Sequence, residues 1–69
     1  MQVFVEIWYR RKRDRAYRHH GIEQVAALLE AGMPMMLAVD GCERQVTVDK
    51  AERIAAGMPV AGRLWVTEA

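Results

Sequence analysis

The sequence predicts an α+β domain of element order βαββαβ, a ferredoxin-like sandwich in which a four-stranded antiparallel sheet carries two helices on one face. Three observations lead there. Runs rich in β-branched and aromatic residues occupy 2–9 and 63–67, and an Asp40-Gly41 pair lies between two further apolar stretches. From Ile22 the apolar residues fall at helical spacing. A short repeat, Ala-Gly-Met-Pro at 31–34 and again at 56–59, implies two βαβ halves whose helices stop by the same device.

Residues 2–9 begin without a helix cap and read as a strand. Alternation puts Val3, Val5 and Ile7 on the core side and Phe4, Glu6 and Trp8 on the other. After Gly21, the residues Ile22, Val25, Ala26 and Leu29 recur at i, i+3, i+4 and i+7, one face of a helix that ends at Gly32, with Pro34 barring its continuation. Residues 35–48 form a hairpin about Asp40-Gly41, a pair suited to the positive φ angles of a type I′ turn. A two-residue loop sets Val39 opposite Cys42, Leu37 opposite Arg44 and Met35 opposite Val46. Asp49 and Glu52 have the spacing of a capping box and open a short second helix that ends at Gly57. The last strand, 63–67, turns Leu64 and Val66 to the core and Arg63, Trp65 and Thr67 away from it.

Charge is distributed unevenly along this frame. Residues 10–20 hold six of the ten Lys and Arg and a single carboxylate, Asp14, whereas residues 21–69 carry four Lys and Arg against seven Asp and Glu. The near-neutral total of +1 therefore conceals a bipolar chain. In the second half of the repeat the strand runs straight into its helix. In the first half eleven residues intervene, so 10–20 is a basic insertion within a single domain spanning 1–69. Its conformation stays open between a long loop, a strand extension curling into a second hairpin, and a short helix.

The functional expectation rests on this insertion and on the sheet face opposite the helices. Arg10, Arg11, Lys12, Arg13, Arg15 and Arg18 are suited to the phosphates of RNA or DNA, with Tyr17 and Trp8 available for stacking. Phe4, Trp8 and Trp65 all point to the open face and form an interaction face, with Glu6 between them as a repulsive element for phosphate. The same surfaces fit a second reading, a protein-interaction module such as a small mobile-element-encoded inhibitor or adaptor. It would dock on an acidic or nucleic-acid-handling protein through the basic arm and the aromatic face. A homodimer is a third use for the open face. The element order is also that of the RNA-recognition motif, but residues 44–48 lack the aromatic signature of its third strand, so no membership follows.

Composition bounds the rest. At 69 residues the chain has little room for a deep cleft, and it contains no Ser and no Asn. No nucleophile, base and orienting group assemble from what remains, so a non-enzymatic module without cofactor is expected. His19 and His20 are adjacent and face opposite ways on a strand, with no further ligand at metal-binding spacing, so no metal site is expected. The single Cys42 points to a reducing compartment and to a thiol packed at the sheet edge. Apolar runs too short for a bilayer, and an N-terminus without a basic region leading an apolar one, give the expectation of a soluble cytoplasmic protein without membrane contact.

Overall fold

The computed structural model describes residues 3–26, 29–54 and 59–69. Five strands account for most of them: β1 (Val3–Arg10), β2 (Arg18–Val25), β3 (Pro34–Val39), β4 (Cys42–Arg53) and β5 (Gly62–Glu68). They form one sheet in the order β2-β1-β5-β4-β3. β1 and β5 run parallel, the other neighbours antiparallel. The sheet curls into a half-barrel.

This corrects the expected fold. No helix occurs among the described residues, the sheet has five strands rather than four, and it is mixed rather than antiparallel. The first strand is flanked by β2 and β5, not by the third and fourth strands. The expected first helix fails because residues 22–25 pair with β1, from Val25 opposite Val3 to Ile22 opposite Glu6. A segment of under about 12 residues holds a helix only with a face to pack on. In a sheet that curls over its own apolar side, no such face is left open. Ile22 accordingly stands 57% exposed, while Val25 and Leu29 still pack against the core. Ala27 and Leu28 lie outside the described residues.

The expected second helix fails for a different reason. β4 continues through Asp49 to Arg53, and its register against β5 slips between Val48, opposite Val66, and Lys50, opposite Trp65. Asp49 is therefore a bulge residue, the extra residue of one strand facing none on its neighbour. The insertion changes the spacing of inward residues from two (Val46, Val48) to three (Val48, Ala51), which in sequence reads as the opening of a helix. The expected end of that helix, 55–57, lies outside the described residues. The repeat's implication of two βαβ halves falls with the two helices, although a strand does follow each copy.

The hairpin matches its expected register pair by pair, Val39 with Cys42, Leu37 with Arg44 and Met35 with Val46. Asp40 at φ 52° and Gly41 at φ 79° supply the two left-handed residues that a type I′ turn requires. Gly32 also takes a positive φ, 94°, but in a turn leading into β3 rather than at a helix end. The left-handed signal was sound and the element attached to it was not.

The core lies inside the curl. Val5, Ile7 and Tyr9 of β1, Leu64 and Val66 of β5, Val46 and Val48 of β4 and Leu37 of β3 are buried together. For Val5, Ile7, Leu64 and Val66 these are the sides the alternation assigned. The curl runs through β4: it pairs with β3 over Cys42 to Thr47 and with β5 from Val46 to Arg53, so the two pairings overlap at Val46 and Thr47, and Val48 adds backbone bonds to Gly32 and Met33. Concave burial leaves the other ends of the alternation on the convex face, where Phe4, Glu6, Trp8 and Arg10 follow one another along β1.

Candidate functional site

Antiparallel pairing of β1 with β2 makes the basic segment a hairpin loop, one of the three conformations left open by the sequence. Residues 11–17 connect the strands. The loop is closed by its own carboxylate: the Asp14 amide donates to the Arg11 carbonyl at 3.0 Å, and the Arg11 amide donates to Asp14 Oδ2 at 3.3 Å. The one carboxylate of the segment is thereby occupied in shaping the turn. Arg11, Lys12, Arg13, Arg15 and Arg18 are exposed, and among the described residues the side chains of Lys12, Arg13, Arg15 and Arg18 make no hydrogen bond or ion pair. Arg11, Lys12 and Arg13 also wall a cleft of about 470 Å³ with Asp14 and Glu68.

Arg10 and Tyr17 are placed differently from the expectation that they contact a ligand. Arg10 Nε donates to Thr67 Oγ1 at 2.8 Å, and its guanidinium lies 4.6 Å from the centre of the Tyr17 ring. Tyr17 donates its hydroxyl to Asp49 Oδ2 at 2.8 Å, and the Thr67 hydroxyl donates to the same oxygen. Burial, then the Asp49 carboxylate, pushes the Tyr17 phenol above its ordinary pKa. Arg10, Tyr17, Thr67 and the bulge residue Asp49 thus form a brace that ties the root of the loop to β4 and β5. The sequence reading had assigned Asp49 to a helix cap. Tyr9, near the same root, is buried and donates to Glu68 Oε2 at 2.8 Å.

Beyond the brace lies the aromatic part of the convex face. Register places Trp8 directly beside Trp65 on β5, His19 beside Trp8 on β2, and Lys50 beside Trp65 on β4. His19, Trp8, Trp65 and Lys50 therefore make one row across four strands. The Trp8 and His19 rings meet edge to face at 5.0 Å, and the Lys50 ammonium lies 5.1 Å from the Trp65 ring centre. Both irregularities of the sheet flank this row. β1 and β2 slip between Ile7 and Trp8, with His20 as the extra residue, and β4 and β5 slip at Asp49. Without the first bulge His20, not His19, would stand opposite Trp8. Phe4 shares the face and is 51% exposed, but lies four residues from Trp8, about 13 Å along the strand.

Between Phe4 and Trp8, the charge of Glu6 is not free to repel an anion. Glu6 Oε1 accepts from Trp8 Nε1 at 3.1 Å and from Arg63 Nε at 2.9 Å, and Oε2 lies 3.2 Å from His19 Nε2. Arg63 also reaches Glu52 at 3.4 Å. The Trp8 indole N–H most of all, with Arg63 and His19, holds the Glu6 carboxyl below its ordinary 4.5 against the opposing effect of desolvation. A carboxylate whose folded pKa is lowered contributes stability that is complete above its unfolded pKa and is lost as pH falls through the folded one. Melting temperature is therefore expected to fall as pH drops below 4.5, and Glu6→Gln is expected to flatten that acid limb in a pH series of thermal melts. An unchanged slope would show that the Glu6 contacts contribute nothing to folding.

The remaining candidates separate. His19 and His20 face opposite sides, His20 Nε2 lying 3.3 Å from Glu23, and no group of three or more metal-ligating side chains occurs among the described residues. Cys42 is exposed beside the turn, not packed at the sheet edge as expected, because it opens β4 before that strand pairs with β5 at Val46. No helix among the described residues is long and apolar enough to cross a membrane.

Sequence reasoning found the loop cations and the shared face of Phe4, Trp8 and Trp65. It missed His19, Lys50, Arg63, Asp49 and Thr67 as their neighbours, since those contacts depend on strand order and on two bulges. The alternation of Arg63, Trp65 and Thr67 away from the core was the only signal available for any of them. Comparison with protein-family models, with curated proteins and with solved structures returns no match to this chain.

Proposed function

We propose that this chain is a non-enzymatic nucleic-acid-binding module that holds phosphates with the cations of the β1–β2 loop. One observation carries the reading: five cations, Arg11, Lys12, Arg13, Arg15 and Arg18, stand exposed at one end of a small rigid sheet, and the one acid among them is used to close the turn. Unpaired guanidinium groups at a tip are available to phosphate oxygens as forked donors, and releasing counterions from the polynucleotide favours the complex. A braced root, Arg10 to Thr67 and Tyr17 to Asp49, holds the strands from which the loop projects and so lowers the ordering cost of binding.

The test is a salt titration of affinity for labelled DNA and RNA. Five phosphate contacts correspond to a slope of log K on log salt of about −3.5 for single strands and about −4.5 for duplex, or roughly a hundredfold or more between about 50 and 200 mM. Binding that ignores salt, or no binding, overturns the reading. The exposure of Phe4 at 51% and Ile22 at 57%, neighbours on the convex face away from the loop, favours a second reading in which an acidic protein is the partner. A stoichiometric protein complex lost on Phe4→Ala, without nucleic-acid affinity, would select it.

A further inference from the structure

Resting on that reading, we infer that the His19–Trp8–Trp65–Lys50 row is a base-stacking site, and that the nucleic acid held by the loop is single-stranded. The two indoles stand side by side on adjacent strands, at the lip of an open groove of about 400 Å³ lined by Glu6, Trp8, Arg63 and Trp65. Neither ring is buried in the core, and each has a neighbour on its outer flank, Trp8 the His19 ring and Trp65 the Lys50 ammonium. Bulges on both outer strands align that row, a device that re-aims side chains and recurs beside functional sites. A sheet needing only to bury its concave side has no use for it on the convex one.

The surroundings favour a nucleobase over a second apolar surface. Cationic Lys50 and the His19 ring end the row and Arg10 and Arg63 adjoin it, and the carboxylates beside it are engaged, Glu6 by Trp8, Arg63 and His19, Glu52 by Arg63, and Asp49 by Tyr17 and Thr67. The row lies two residues from Arg10 along β1, about 6.6 Å, and the loop begins at the next residue. A strand whose phosphates rest on the loop therefore reaches the indoles with its next bases. Lys50 swings aside from the Trp65 face as a base arrives and sets its ammonium beside the backbone. Duplex bases are already stacked and paired, so only an unpaired strand can use the platform.

The chain has two tryptophans, so its indole emission reports on this row alone. The experiment measures that emission and anisotropy with labelled oligo(dT), oligo(U) and a duplex of equal length, for the unmodified chain, Trp8→Ala, Trp65→Ala and the ring-preserving Trp65→Phe. Expected are quenching by a single strand and not by duplex, and loss of single-strand affinity of about fivefold to 150-fold on each alanine change, with Trp65→Phe close to the parent. The salt slope should persist in all of them, since the loop is intact. Equal affinity for duplex and single strand, with emission unchanged and alanine variants binding as the parent does, overturns the inference and leaves the phosphate-binding reading standing. Alanine variants that instead convert a dimer to a monomer, seen by light scattering, also overturn it, because the row is then a contact between copies. Loss of salt-dependent binding to every polynucleotide removes the earlier reading first. Quenching of the unmodified chain decides the matter even if a variant fails to fold.

Discussion

Replacing Arg11, Lys12, Arg13, Arg15 and Arg18 together by glutamine is expected to abolish measurable nucleic-acid binding at moderate salt and to leave the thermal melt nearly unchanged. The two halves of that expectation have separate physical grounds. Each lost phosphate contact removes about 0.7 from the salt slope on a single strand, so five substitutions take it from about −3.5 to near zero. The fold is indifferent because Lys12, Arg13, Arg15 and Arg18 make no side-chain hydrogen bond or ion pair among the described residues, and the turn is closed by Asp14 and backbone groups. Substituting Arg10 belongs in a different class. Its contacts with Thr67, Tyr17 and Asp49 are internal, so Arg10→Gln is a stability change first. Fluorescence anisotropy against salt, run with circular-dichroism melts, reads both halves. If the fivefold variant binds as the parent does, the loop is not the working surface.

The second large effect lies in the core. Ile7→Ala is expected to cost about 2 to 5 kcal/mol, the range for truncating a buried branched side chain. Ile7 is 0% exposed and sits among Val5, Leu64, Val66 and their neighbours at the middle of the curl. A domain below about 70–80 residues rarely draws more than about 3 to 5 kcal/mol from its core, so the variant should be largely unfolded at room temperature. Phe4→Ala, three residues earlier on the same strand but 51% exposed, should change stability by about 0.5 kcal/mol or less. Urea titration of the two variants measures the contrast. Similar midpoints would mean that the convex face is covered in solution, as by a second copy, and that β1 has two buried sides.

How much of this was legible in the sequence depends on the range of the interaction concerned. Turn chemistry and strand alternation matched the structure, whereas the equally local helix signals, the spacing from Ile22 and the capping box at Asp49, did not. Asp40-Gly41 set the hairpin and its register, since only residues tolerating positive φ make that turn. Alternation set which of Val5, Ile7, Leu64 and Val66 go inside and which of Phe4, Glu6, Trp8, Arg63 and Trp65 stay out. The cluster of cations at 10–20 was visible by inspection, but not its place, since Arg10 ends β1 and Arg18 to His20 open β2 and the segment is no insertion between a strand and a helix.

What the tertiary structure alone decided was the partner of each segment. Residues 22–25 carry a helical spacing and become a strand, because the open edge of β1 offers them a complete set of backbone partners and the curled sheet offers a helix no surface. Residues 49–53 resemble a helix start because a bulge at Asp49 changes the period of the strand. Bulges have no composition signature, since they are chosen by the fit of two long-range registers and not by the residues themselves. The same two bulges bring His19, Trp8, Trp65 and Lys50 into line. The sequence by itself therefore determined the turn, the faces and the charge of the loop, all set within a few residues. The strand order, the loss of both helices and the assembly of the tryptophan row were left to contacts between residues up to about sixty positions apart, whose geometry no local pattern encodes.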